Sequence, residues 1–179
     1  MSPKNDAPEH SPQARLAREA IEAWVREGKK ISSASQPDLQ KLLSEKSAAF
    51  VSIKKKGSLR GCIGTFQPTR DSLAEEIIGN AISAASRDPR FPPLREEELE
   101  DVDIGVDVLG EPEPIPDAGY LDPRRFGVIV RSGNRLGLLL PDLEGVDTVD
   151  QQLEIARRKA GIASHEPVQL LRFTVERYH

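Results

Sequence analysis

The chain contains one cysteine, Cys62, within a short run of residues whose types and spacing could support chemistry. Two glycines, Gly61 and Gly64, flank it in a segment that otherwise has the character of a β-strand. Glycine weakens a strand, so its presence indicates a bulge or the close approach of another group to the backbone. Arg60 lies two residues before Cys62, and the strand period of two predicts that both side chains share a face. A cation beside a thiol favours the thiolate, which is the nucleophilic form.

The pattern around Cys62 supports two interpretations. In the first, the cysteine is a nucleophile or an acceptor, and Arg60 favours its thiolate or binds an acidic substrate. The glycines would then open the strand so that its backbone N–H groups bind an anion or a carbonyl. In the second, Cys62 is a small buried hydrophobe, which is the usual role of a cysteine outside a disulfide. Residue types and spacing leave both interpretations open.

No other residues have the spacing of a known catalytic or metal motif. The histidines, His10, His165 and His179, lack metal-ligand spacing with one another and with Cys62. The sequence also lacks a nucleophile elbow, a P-loop, a dinucleotide fingerprint and a CxxC pair, which argues against a redox-cofactor or zinc enzyme. We therefore predict no metal and no bound cofactor for this chain.

The composition is typical of a globular protein and disfavours several classes of partner. Charged residues make up 30% of the 179 positions, the net charge is −4 and aromatic residues account for 4%. An acidic chain poor in aromatic side chains is unsuited to phosphate contacts, base stacking or an anionic membrane surface. The single cysteine, a polar N-terminus and the lack of a run of about 20 apolar residues predict a cytoplasmic protein.

Apolar periodicity and capping residues predict an alternation of helices and strands. Helices are predicted at 12–27, from 37, at 72–86 and at 149–160, and strands at 49–55, 58–66, 102–108, 126–131, 135–140 and 168–175. Ser72 with Glu75, and Thr148 with Gln151, have the spacing of capping boxes at the starts of two helices.

Two further groups of charged residues have both a functional and a structural interpretation. Three prolines within five residues make the segment 87–94 a stiff connector. The connector can hold the charges of Asp88 and Arg90 in fixed places for a ligand. Alternatively, it is only a rigid linker in which these two residues form a local ion pair. Asp103 and Asp107 share the polar face of a predicted strand. Paired carboxylates could serve acid–base or metal chemistry there, or they could simply form the solvent-facing side of the strand.

The order hairpin, helix, strand occurs twice, which predicts an α+β fold of two closely packed lobes with mostly antiparallel sheet. The predicted segments are a disordered tail (1–11), a single domain (12–179) with N-terminal helices (12–45), sub-lobes at about 48–109 and 118–179, and a proline-rich boundary at 110–117. In the second copy Leu138 takes the position of Cys62. That substitution favours a packing role for this position, at least in the second copy.

Four stretches of the chain resemble one known family. They are Leu59–Thr65, with the sequence LRGCIGT, Ala81–Leu94, Gly127–Val130 and Leu138–Val146. Together they resemble the AMMECR-type domain family, which is named for a contiguous-deletion region linked to Alport syndrome. The C-terminal part is most similar to the prokaryotic branch called AmmeMemoRadiSam system protein A.

The resemblance implies a two-lobed α+β domain with the segment Leu59–Thr65 near a cleft, and it implies a Memo-like protein and a radical S-adenosylmethionine protein as partners. This chain lacks the cysteine triplet of a radical S-adenosylmethionine enzyme, so such chemistry would come from a partner. We expect either a catalytic or ligand-binding cleft or, alternatively, a non-catalytic adaptor in which Cys62 is structural. The candidate catalytic residues are Cys62 and Arg60, and the candidate ligand-binding residues are Gly61, Gly64, Thr65, Asp88 and Arg90.

Overall fold

The structure is a computed structural model that describes residues 10–179, apart from the side chain of Leu42. The tail predicted for 1–11 lies outside the described residues except for its last two positions. The second of these, Ser11, is ordered as the N-cap of the first helix, where its hydroxyl accepts the N–H of Ala14. The chain divides into two compact units, one of the residues up to Val108 with Arg177–His179, and one of Leu109–Glu176.

Both units combine helices with antiparallel sheet, as an α+β fold requires. The helices are α1 (Pro12–Glu27), α2 (Pro37–Leu42), α3 (Leu73–Ser86) and α4 (Val149–Ala160). The strands are β1 (Ala48–Lys55), β2 (Ser58–Gly64), β3 (Val102–Leu109), β4 (Glu113–Ile115), β5 (Gly127–Ser132), β6 (Arg135–Leu139), β7 (Gln169–Phe173) and β8 (Val175–Tyr178). Short 3₁₀ helices occur at Ser33–Ser35, Glu96–Asp101 and Ala118–Tyr120. None of the helices in the described part of the chain is long and apolar enough to cross a membrane.

The first unit packs α1 and α3 with a four-stranded sheet in the order β2-β1-β3-β8. Its core contains fully buried aliphatic side chains from both helices and the sheet, including Leu16, Ile77, Val51 and Val106. Full burial of one such side chain stabilises the fold by about 1.5–3 kcal/mol. Gly28 adopts the left-handed conformation and ends α1, so the helix boundary predicted from this glycine is correct.

The second unit has a four-stranded sheet in the order β4-β7-β5-β6, and α4 packs against β5 and β6. Val128 and Val130 on β5 are fully buried, with Ala156 of α4 in the same core. The hairpin, helix and strand of this unit (β5, β6, α4, β7) repeat the order β1, β2, α3, β3 of the first unit.

Three local predictions need correction. The strand predicted at 168–175 is interrupted at Thr174, so that β7 and β8 lie in different sheets. The proline-rich boundary contains the short strand β4, because Pro114 on an edge strand needs no N–H partner. Of the two predicted capping boxes, the one at α4 is complete and the one at α3 is not. At α3, Ser72 accepts the N–H of Glu75 as predicted, but the Glu75 carboxylate binds the hydroxyl of Ser33 instead.

Candidate functional site

Strand β2 contains the motif segment Leu59–Thr65 except for its last residue, Thr65, and lies at the edge of the first sheet. Its pairing with β1 places Ile53 opposite Gly61 and Lys54 opposite Leu59, so Arg60 has no opposite residue on β1. This extra residue is a β-bulge, which interrupts the simple alternation of side chains along the strand. The bulge therefore removes the basis for expecting Arg60 and Cys62 to share a face.

The guanidinium of Arg60 binds the carboxylate of Glu98 with two hydrogen bonds of 3.0 Å. It also donates to the carbonyl oxygens of Pro92 (2.9 Å) and Pro93 (3.3 Å). Lys55 adds a 3.1 Å contact to Glu98, whose side chain is buried. The bonds from Arg60, with further help from the backbone N–H of Arg95 and from Lys55, outweigh burial and lower the pKa of Glu98 to about 2. Arg60 thus fastens the proline-rich connector to β2.

Asp88 and Arg90 cover the outer edge of β2 at Cys62. The buried carboxylate of Asp88 accepts the backbone N–H of Cys62 at 3.0 Å. The Arg90 side chain donates to both carboxylate oxygens of Asp88, at 3.0 and 2.8 Å, and to the carbonyl oxygen of Cys62 at 3.3 Å. The ion pair therefore satisfies one N–H and one C=O of an edge strand, as a neighbouring strand would.

The same pair places a positive charge at the backbone of Cys62. The bonds from Arg90 hold the pKa of Asp88 far below its usual range, although burial alone would raise it. The bond to Asp88 raises the pKa of Arg90, and attraction to Cys62 acts in the same direction. The Arg90 side chain is 55% exposed, whereas Cys62 is half-buried. Arg90 is thus a cation whose charge acts on Cys62. In the sequence, this ion pair was indicated by the spacing of Asp88 and Arg90 in the stiff connector.

Close packing explains both glycines of the motif. A Cβ on Gly61 would collide with the carbonyl oxygen of Ala84 in α3, and a Cβ on Gly64 would collide with the ring of Phe50. The groups that approach this backbone are therefore a helix and an aromatic side chain of the protein itself. Because Gly61 faces α3, the pleat places Cys62 on the opposite face of the sheet.

Thr65 belongs to a third cluster, around Glu76 of α3. The Glu76 carboxylate is fully buried and accepts the Thr65 hydroxyl at 2.6 Å, the Thr69 N–H at 3.0 Å and the Arg70 guanidinium at 2.9 Å. Burial alone would raise the pKa of Glu76, but these hydrogen bonds outweigh it and the pKa is lowered. Glu76 was not predicted as a site residue, although its spacing from Leu73 placed it near the buried face of α3.

These clusters share a pattern. All the buried carboxylates among residues 10–179, Glu76, Asp88 and Glu98, bind the motif segment. They contact it at Thr65, Cys62 and Arg60. In contrast, Asp107 binds Arg177 at 3.2 Å, and the described residues include no group of three or more His, Cys, Asp or Glu able to hold a metal ion.

Comparison with known proteins places this arrangement in a family. The model of the AMMECR1 family matches residues 14–178. The chain belongs to the AMMECR1 family. A protein of Thermotoga maritima is 53% identical over 172 residues, which cover 93% of this chain and 97% of that protein. A protein of Clostridium acetobutylicum is 48% identical over 95% of this chain, but this chain spans only 36% of that longer relative.

The fold of this AMMECR1-family chain is also found in the crystal structure of an uncharacterised protein from Pyrococcus horikoshii. The two chains superpose with a TM-score of 0.84 at 35% identity, over 92% of this chain and 88% of the other. Within this fold, Cys62, Asp88 and Arg90 form one cluster, whereas Arg60 and Thr65 belong to the separate clusters of Glu98 and Glu76.

Proposed function

We propose that this AMMECR1-family protein binds a small anionic ligand at the cluster of Cys62, Asp88 and Arg90, with the Cys62 thiolate facing that ligand. One observation supports the proposal above all others. Buried Asp88 holds both the backbone N–H of Cys62 and the exposed guanidinium of Arg90, so a cation is fixed next to the residue that carries the thiol.

The chemistry of the cluster suits an anion. Arg90 uses Nε and Nη2 for Asp88 and for the Cys62 carbonyl, whereas its Nη1 has no partner among residues 10–179. A guanidinium held by a buried carboxylate loses little rotational freedom on binding a second anion. The same positive charge favours the thiolate of Cys62, so a carbonyl or other electrophilic group on the ligand would meet the reactive form of the sulfur.

We further propose that the protein acts together with a Memo-like protein and a radical S-adenosylmethionine protein. The family resemblance implies these partners. The Clostridium relative supports joint action in general, because it joins a region similar to this chain to a longer polypeptide.

Alkylation of the single cysteine tests the anion site. We would compare the rate with anionic iodoacetate to the rate with neutral iodoacetamide by intact-mass spectrometry, for the folded chain and for the chain in urea. A unit charge about 4 Å away in water changes such a rate about fivefold, so folding should raise the ratio by about that factor. Arg90→Gln should return the ratio to its value in urea.

Arg87→Gln is the matched control. Arg87 is an exposed arginine on the same connector, so this variant removes the same charge as Arg90→Gln. This variant should keep the raised ratio. A ratio that is equal in the folded and unfolded chain, or that survives Arg90→Gln, contradicts the anion site.

A second candidate function is a non-catalytic adaptor, and one observation favours it. Arg60 ties the connector to β2 through Pro92 and Pro93, beside Leu59, which is 42% exposed. These residues would form a fixed surface for a partner, and Cys62 would serve only as packing. Co-purification with the Memo-like and radical proteins of the source genome separates the two functions, because the adaptor should bind equally well as Cys62→Ala and lose its partner as Leu59→Asp. Failure of the wild type to bind, even anaerobically with S-adenosylmethionine, contradicts the adaptor.

A further inference from the structure

A groove in the second unit lies where the edge strand β4 stops. β4 pairs with β7 only from Glu113 to Ile115, and its last pair is Ile115 with Leu170. β7 begins one residue earlier, at Gln169, which pairs on its other side with Arg131 of β5. The residue after β4 is Pro116, which has no N–H to offer. β4 therefore does not cover β7 at Gln169 or at Val168 before it, and because backbone groups alternate along a strand, one of these two residues presents its N–H and C=O away from β5.

The groove at this open edge has a volume of about 400 Å³, and Pro114, Pro116, Arg131, Val168 and Gln169 contribute to its walls. A second concavity of about 480 Å³ adjoins it and shares Arg131, Val168 and Gln169. Arg131 is thus part of the wall of both concavities. An extended peptide rises about 3.3 Å per residue, so a few residues of such a peptide would run along the groove.

Arg131 gives this groove its charge. The side chain is half-buried, yet it makes no hydrogen bond, ion pair or ring contact with any residue in 10–179. Other arginines of the same unit are paired, Arg135 with Glu166 and Arg172 with Glu113. Neither concavity has an acidic residue among those that line it. A half-buried charge without a counter-ion is costly, so the groove is complementary to an anion.

The position of Arg131 also favours a particular kind of anion. Arg131 and Gln169 are directly opposite on β5 and β7, so their side chains lie on the same face of the sheet. A guanidinium and an amide therefore stand next to an open strand edge. An extended peptide can pair its backbone with such an edge and place alternate side chains in the groove, whereas a free small anion would use only the guanidinium.

We propose that this groove binds an extended acidic peptide segment, which adds to the open edge of β7 and places a carboxylate on Arg131. The site lies wholly within the second unit and is separate from the cluster around Cys62. The anion at Arg131 supplies the missing counter-ion, and the strand edge supplies main-chain hydrogen bonds.

Fluorescence polarisation with the full chain tests the proposal. The probe is a dye-labelled eight-residue peptide of alternating valine and glutamate, and the same peptide with lysine in place of glutamate is the comparison. The wild type should bind the acidic peptide and not the basic one. Because a hydrogen bond to a charged group contributes about 1.5–3 kcal/mol, Arg131→Gln should weaken binding by about tenfold to a hundredfold.

Arg15→Gln is the control variant, since Arg15 is another arginine without a described side-chain partner but lies exposed in the first unit. It should bind like the wild type. Amide NMR of the wild type provides a measurement that needs no variant, and the signals of Val168 and Gln169 should shift as the peptide is added. No binding by the wild type, equal binding by Arg131→Gln, or shifts elsewhere only would overturn the proposal. Free glutamate that competes at the same concentration as the peptide would also overturn it, because the site would then recognise a carboxylate without a strand.

Discussion

The two hairpin-and-helix copies of this chain share a way of packing the helix on the return strand. In the first unit, Gly61 of β2 lies against the carbonyl of Ala84, and in the second unit Gly137 of β6 lies against the carbonyl of Ala156. A Cβ on either glycine would collide with the helix backbone. The glycine in the LRGCIGT segment therefore has a counterpart in a strand without a cysteine, which shows that it serves packing in both copies.

The two copies also cap the edge strand in a similar way. Arg90 donates to the carbonyl oxygen of Cys62 at 3.3 Å, and Lys159 donates to the carbonyl oxygen of Leu138 at 2.9 Å. The first unit adds a buried carboxylate, Asp88, which accepts the N–H of Cys62. The buried carboxylate and the sulfur are thus features of the first copy, whereas both copies place a cation at this carbonyl oxygen.

A second difference lies at the fourth residue of the two helices. Glu76 occupies that position in α3 and Gln152 occupies it in α4, and both side chains are fully buried. Gln152 donates once, to the carbonyl oxygen of Phe126, and its Oε1 has no hydrogen-bond partner within residues 10–179. Glu76 instead binds the motif segment through Thr65. One copy therefore uses charge at a position where the other uses a neutral amide.

The largest expected effect comes from removing that charge. Glu76→Leu leaves the Thr65 hydroxyl, the Thr69 N–H and the Arg70 guanidinium without their acceptor, which should lower the free energy of unfolding by about 3 kcal/mol. The matched change Gln152→Leu removes one hydrogen bond and one unsatisfied oxygen, so its effect should stay within about 1 kcal/mol.

Urea unfolding measures both variants. Fluorescence of Trp24, the only tryptophan and part of the first core, follows the first unit, and far-UV circular dichroism follows the whole chain. Equal losses for the two variants would show that the charge at Glu76 adds nothing beyond burial.

A smaller effect is expected in acid. The folded-state pKa values of Glu76, Asp88 and Glu98 lie below the values of unfolded carboxyl groups, which are about 4. Their contribution to stability is therefore full at neutral pH and is lost as the pH falls from about 4.5 towards about 2. Urea unfolding at a series of pH values, followed by Trp24, should show this loss. Glu98→Gln should make the loss shallower between pH 5 and 3, and an unchanged slope would contradict the role of Glu98.

The sequence predicted the helices and hairpins well because their signals are local. Apolar spacing, the N-cap hydroxyls and the glycine C-caps act over a few residues, and α1 and α4 end where their glycines predict. The capping box predicted at α3 was wrong, because the Glu75 carboxylate binds the hydroxyl of Ser33, which is 42 residues away in the sequence. Such a contact has no local signature.

The site was harder to predict than the fold. Cys62, Asp88 and Arg90 were all chosen from their types. The glycines indicated a bulge or a close approach, but the position of the bulge at Arg60 could not be predicted, because register depends on both strands. Glu76 was missed because its donors come from the loop after β2, and only the folded chain brings them to α3.

The pH dependence of Cys62 alkylation by iodoacetamide tests most directly whether Asp88 and Arg90 create a thiolate site. An ordinary cysteine thiol ionises near pH 8.5. We expect a wild-type midpoint below that value, and a midpoint that moves up in Arg90→Gln, which removes the cation while Trp24 fluorescence confirms that the first unit is folded. A wild-type midpoint at or above about 8.5, or one unchanged by Arg90→Gln, would contradict a thiolate site.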